Sequence, residues 1–126
     1  MIVAKGESAP PEGTPGTQPA QGISLDEERV VRCRRCGHAL AKARDRLPLD
    51  GAQTRSFVNP AGLVYEIAAF REAPGCAAEG EPSSYWTWFP GHAWQVALCG
   101  RCGTHVGWAF SGASRFFGLL VERVDC

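Results

Sequence analysis

The sequence predicts a mainly β domain pinned by one metal ion, and three observations carry that prediction. Short apolar runs alternate with turn residues along the chain, without the strand–helix alternation of a βαβ protein. Two CxxC pairs, Cys33-Arg34-Arg35-Cys36 and Cys99-Gly100-Arg101-Cys102, set four thiols at metal-ligand spacing. A foldable stretch of roughly 100 residues makes a marginal core, so a structural metal is physically useful to it.

Taken in order, residues 1–24 are rich in Pro, Gly, Thr, Gln and Ala and hold little apolar periodicity. They are expected to be a flexible tail, with the folded domain over 25–126. Arg29-Val30-Val31-Arg32 reads as a short strand leading into the first knuckle. A helix fits only in short pieces, near Ala39–Arg44. Residues 56–58 and 63–67 read as two strands about the turn Asn59-Pro60-Ala61-Gly62, whose residues suit restricted or positive dihedrals. The same design is expected for Ser84 to Trp88, the turn Phe89-Pro90-Gly91-His92, and Ala93 to Leu98, with Trp94, Val96 and Leu98 on one face. Beyond the second knuckle, Val106, Trp108 and Phe110 are expected to share a strand face. Ser111 to Ser114 is a turn, and Phe116 to Val124 a closing strand.

The 126-residue chain carries 13 Lys+Arg against 13 Asp+Glu, which leaves no net field to draw phosphates or anionic lipid. Nucleic acid is therefore not an expected partner. No apolar run approaches the ~20 residues of a spanning helix, and Met1 to Lys5 gives way to Pro and Gly rather than a signal-peptide core. A cytoplasmic protein without a membrane partner is expected.

The knuckles CRRCG (33–37) and CGRCG (99–103) match beyond their cysteines. Two residues between thiolates let both face one zinc ion in a tight turn, and the following glycine permits the turn's dihedrals. Cys33, Cys36, Cys99 and Cys102 are the expected ligands of one zinc, structural because four thiolates leave no open position. Cys76 and Cys126 lack partners at ligand spacing, and His38 and His105 read as structural neighbours of the knuckles. No Gly-rich phosphate loop is present.

All four tryptophans fall between positions 86 and 108. They suit either a large aromatic core or a preorganised box beside the knuckle. From Pro82 to Val121 there is no Asp or Glu, so such a box lacks the carboxylate that helps cation cages and better suits a neutral ligand.

CxxC, NPxG at 59–62, WFPGxxW at 88–94, and CxxCGxHxGW at 99–108 followed by Phe110 occur in this order. In this pattern, over about residues 30–124, the chain resembles the CULT domain. That is the thalidomide-binding domain of cereblon, also found as single-domain bacterial proteins. The resemblance implies a β-tent fold, two antiparallel sheets at a steep angle pinned by the zinc. It implies an aromatic cage walled by Trp88, Trp94 and Trp108, with Phe110 as the fourth side and Asn59 and Pro60 in the loop that closes over it. The Trp86 carbonyl would accept a ligand imide N–H, and the Trp88 N–H would donate to a ring carbonyl. Implied ligands are glutarimides and thalidomide-type cyclic imides, uracil-like rings and cyclic-imide ends of proteins. Trp86 is bulky where the family varies. The ubiquitin-ligase adaptor role belongs to another region of the eukaryotic protein and is not expected of this chain. Two other readings are a peptide-interaction zinc domain of the Yippee type and an enzyme like methionine sulfoxide reductase B. The enzyme needs a late-strand cysteine, and residues 115–124 contain none.

Overall fold

The computed structural model describes residues 29–125. The expected tail and Cys126 lie outside the described residues. Among the described residues there are ten strands: β1 (Val30–Cys33), β2 (Ala39–Lys42), β3 (Arg46–Leu47), β4 (Arg55–Val58) and β5 (Val64–Phe70) precede β6 (Cys76–Ser83), β7 (His92–Cys99), β8 (His105–Gly112), β9 (Arg115–Leu120) and β10 (Val124–Asp125). They form two antiparallel sheets. The small one runs β10-β1-β2, and the large one β3-β5-β9-β8-β7-β6 with β4 also paired to β5. Among the described residues no α-helix occurs, and no helix is long and apolar enough to cross a membrane.

Each face of the large sheet builds its own core, as a period of two dictates. On β5, Ala68 and Phe70 enter a core shared with Val31, Leu40, Cys33, Cys99 and Val124 between the sheets. Ile67 and Ala69 turn the other way, to Phe57, Phe110, Phe116 and Leu120. Tyr65, Trp88, Trp94 and Trp108 lie against this second core, so the sheet's aromatic face carries the pocket.

Several expectations are corrected. Ala39–Lys42 is a strand paired to β1, and only Ala43–Asp45 forms a 3₁₀ turn. Ser84 to Trp88 is not a strand; β6 precedes it, and the segment departs from the sheet with Trp86 at φ 55°. Val106 does not share a core with Trp108 and Phe110. Pairing steps from Ala97↔Gly107 to Leu98↔His105, and Val106 is the extra residue of that bulge. One extra residue reverses the alternation, so Val106 packs between the sheets instead. The closing strand is split by a 3₁₀ turn at Val121–Arg123, which delivers Val124 from the large sheet to the small one.

Candidate functional site

The two knuckles are built alike. Gly37 N–H donates to the Cys33 carbonyl at 2.8 Å, and Gly103 N–H to the Cys99 carbonyl at 2.9 Å. Both glycines hold positive φ, 81° and 78°, which closes the turn behind the second thiol. The first cysteine of each is tied back across its loop, Cys33 N–H to the His38 carbonyl and Cys99 N–H to the Thr104 carbonyl.

These turns bring the sulfurs of Cys33, Cys36, Cys99 and Cys102 within 4.8 Å of one another. Cys33 and Cys102 are 3.7 Å apart, and Cys36 and Cys99 are 3.6 Å apart. Sulfurs ~2.3 Å from a tetrahedral zinc stand ~3.8 Å apart along each edge, so the cluster has the size of a tetrahedral thiolate site. Four cysteines thus stand together where they could hold one metal ion.

Hydrogen bonds divide the protons unequally. The Thr104 hydroxyl and backbone N–H bring the Cys102 thiol down to about 6. The His38 backbone N–H pulls Cys36 down, but desolvation and its three thiol neighbours outweigh it and carry Cys36 up to about 11. Neither histidine is part of the cluster. His105 Nε2 is 2.9 Å from the Gly107 carbonyl, and its ring stands perpendicular to Trp108 at 4.9 Å. Burial, then the nearby Arg123 charge, hold its pKa low against the raising effect of the Gly107 bond. Cys76 pairs across from Cys99 but stays outside the cluster. Burial first, then the Cys99 and Cys33 sulfurs, push its thiol up to about 12.

On the aromatic face a cavity of about 320 Å³ is lined by Asn59, Pro60, Trp86, Trp88, Trp94, Trp108 and Phe110, all seven sequence-expected residues. Tyr65, Tyr85 and Val96 complete the lining and were not among them. Strand parity on β5 pointed to Tyr65, two residues before Ile67 on the same face; no pattern pointed to Tyr85, which lies in the departing loop. No lining side chain is charged.

The rings brace one another. Trp88 meets Trp108 edge to face at 4.9 Å, and Tyr65 meets Trp108 likewise at 5.3 Å. Phe57 stacks on Trp88 at 4.9 Å, and the Arg55 guanidinium lies over the Phe57 ring at 4.9 Å. Phe110 is 2% exposed and stacks on Phe116 at 5.0 Å, so it floors the cavity from the core. The Asn59 side-chain oxygen accepts from Ala61 N–H and Leu63 N–H, fixing the turn that carries Pro60 to the mouth.

No protein-family model matches the chain. Among curated proteins it is 35% identical over 113 residues to Protein cereblon of Drosophila pseudoobscura pseudoobscura, covering 82% of this chain and 18% of that protein. It is 38% identical over 113 residues to Protein cereblon of Drosophila persimilis, with the same coverage of each chain. Protein cereblon of Drosophila grimshawi is 34% identical over 113 residues, 82% of this chain and 17% of the relative. The chain spans less than a fifth of the length of these relatives.

Proposed function

The chain is a cereblon-like CULT domain, and we propose that it is a non-catalytic module whose aromatic pocket binds a small, neutral cyclic imide. The observation that carries this reading is the wall itself: aromatic faces around the cavity, one amide side chain, and no charged group. A cation cage would gain from a carboxylate that this lining lacks.

Polar recognition falls to the backbone beside the rings. Among the described residues no hydrogen bond engages the Trp86 carbonyl or the Trp88 N–H. A cyclic imide presents carbonyl, N–H and carbonyl along one edge. Its N–H would donate to the Trp86 carbonyl, and the Trp88 N–H would donate to one ring carbonyl. Its methylenes would lie against Trp88, Trp94 and Trp108. Uracil-like rings and the cyclic-imide ends of modified proteins carry the same edge, so they fall within the same class.

Zinc in the four-cysteine cluster would be structural, because four thiolates complete its tetrahedron. It would join the β1 knuckle to the one after β7 and contribute folding free energy. The Cys76 thiol is the opposite of an activated nucleophile, since its proton is held to about 12.

The test is a titration with glutarimide followed by tryptophan fluorescence. The wild type should respond saturably. Trp94→Ala and Trp108→Ala should not, while both retain one zinc per chain and a cooperative melt. A response that never saturates, or variants that bind like wild type, would overturn the reading.

A further inference from the structure

Trp86 holds a left-handed backbone, φ 55°, which a bulky residue rarely adopts and which persists only where surroundings over-determine it. Burial of its ring is not the cause, because Trp86 is 52% exposed and its neighbour Tyr85 is 67% exposed. Hydrogen bonds remain. The Trp86 indole N–H donates to the Val58 carbonyl at 2.8 Å, and the Trp88 indole donates to the same oxygen at 2.9 Å. The Trp94 indole donates to the Tyr85 carbonyl at 2.7 Å.

The Tyr85 carbonyl belongs to the peptide plane that precedes the Trp86 Cα. That plane is pinned from β7 by Trp94, and the Trp86 side chain is pinned to the end of β4 by Val58. These two anchors fix φ at Trp86, and the Trp88 indole bond to the same Val58 oxygen holds the chain just beyond it, so the three bonds together set where the Trp86 carbonyl points.

We infer that Trp86 is a positioning residue for the pocket: its indole bond to Val58 clasps its own backbone in the left-handed state that presents its carbonyl to an imide N–H. The consequence for ligands rests on the imide reading above; the clasp itself does not. A Trp86 that served only as an apolar shelf would treat a ligand with or without the imide hydrogen alike.

Two variants separate the parts. Trp86→Phe keeps a ring and loses the donor. Trp86→Gly loses both, and it also removes the cost of positive φ. The first measurement is indole N–H hydrogen exchange by NMR on the ligand-free protein. In Trp86→Phe the Trp94 indole proton, whose acceptor is the Tyr85 carbonyl, should exchange at least ten-fold faster than in wild type. In Trp86→Gly it should fall between the two. An unchanged rate in Trp86→Phe would overturn the clasp.

The second measurement is affinity for glutarimide and for N-methylglutarimide. Wild type should prefer glutarimide at least ten-fold. Trp86→Phe should shrink that preference below three-fold by losing glutarimide affinity alone, and Trp86→Gly should regain part of it. Equal losses for both ligands would overturn the positioning role. If wild type ignores glutarimide while the exchange pattern holds, the imide reading falls and the clasp stands.

Discussion

An indole whose N–H is already bonded to a backbone carbonyl can offer a ligand only its face, and this holds for Trp86, Trp88 and Trp94 alike. On the proposed imide reading, the pocket would separate apolar grip, given by side chains, from polar recognition, given by main chain. The four cysteines are instead placed alike, each where it could ligate one metal ion. Cys99 is 2% exposed and sits 3.6 Å from Cys36. Cys99→Ser would leave a buried hydroxyl among three sulfurs and an incomplete tetrahedron. Elemental analysis should find the one-zinc stoichiometry lost, and calorimetry should find no cooperative melt; a metal-free variant as stable as wild type would contradict a structural zinc. His105 sets a pH dependence. Its folded pKa is held below its ordinary 6.5 by burial and by Arg123, so the unfolded chain takes up the proton first. Stability is then unaffected by this group above about pH 6.5, and it falls as pH drops from 6.5 to the lowered folded pKa. In thermal melts with zinc in excess, His105→Gln should flatten the slope in that window. An unchanged slope would remove His105 as its source.

Glycine backbones join the two sheets and the second knuckle at close range. Gly75 N–H donates to the Leu40 carbonyl at 3.0 Å, and the Gly75 carbonyl accepts from Gly100 N–H at 2.9 Å. A Cβ at position 75 would stand 1.9 Å from the Ala39 carbonyl oxygen, a backbone atom that cannot swing aside. Gly75→Ala is expected to cost about 3 kcal/mol, at the upper end of ordinary overpacking, read from the denaturation midpoint at unchanged slope. Legibility in the sequence follows the range of the forces at each element. Both knuckles and the Asn59–Gly62 turn are set by neighbouring residues, and their spacing displays them. β6, of sequence CAAEGEPS, has no alternation to read, because an edge strand mostly exposed to solvent needs none, and Pro82 is tolerated there. Ser84 to Trp88 repeats in sequence the strand–turn–strand design of residues 56–67, but its path is set by distant carbonyls at Val58 and by Trp94. Val106 leaves the face that simple alternation predicts for a similar reason: a bulge that depends on the pairing of β7 with β8 reverses its side. Within the pocket, residues at motif spacing were legible, whereas Tyr85 reaches it only through that loop.

At the scale of the molecule, one β layer serves two cores. Its inner face packs on the small sheet around the cysteine cluster, and its outer face carries the rings. β8 links them directly, with Val106 in the first core and Trp108 and Phe110 at the second. A metal that fixes the chain at Cys99 and Cys102 therefore also fixes the start of the strand that floors the pocket. Chelation of zinc is expected to abolish ligand binding together with the cooperative melt, and restoring zinc should return both. The central claim is that the pocket selects a neutral imide edge by backbone hydrogen bonds inside an uncharged aromatic wall. Its most direct test is calorimetric competition among glutarimide, N-methylglutarimide and trimethyl-lysine on the zinc-loaded wild type. A buried polar group left unmatched costs about 1–3 kcal/mol. Since 1.4 kcal/mol corresponds to about ten-fold, glutarimide should bind at least ten-fold tighter than its N-methyl form, and trimethyl-lysine should displace neither. N-methylglutarimide binding as tightly as glutarimide, or trimethyl-lysine outcompeting both, would contradict the account.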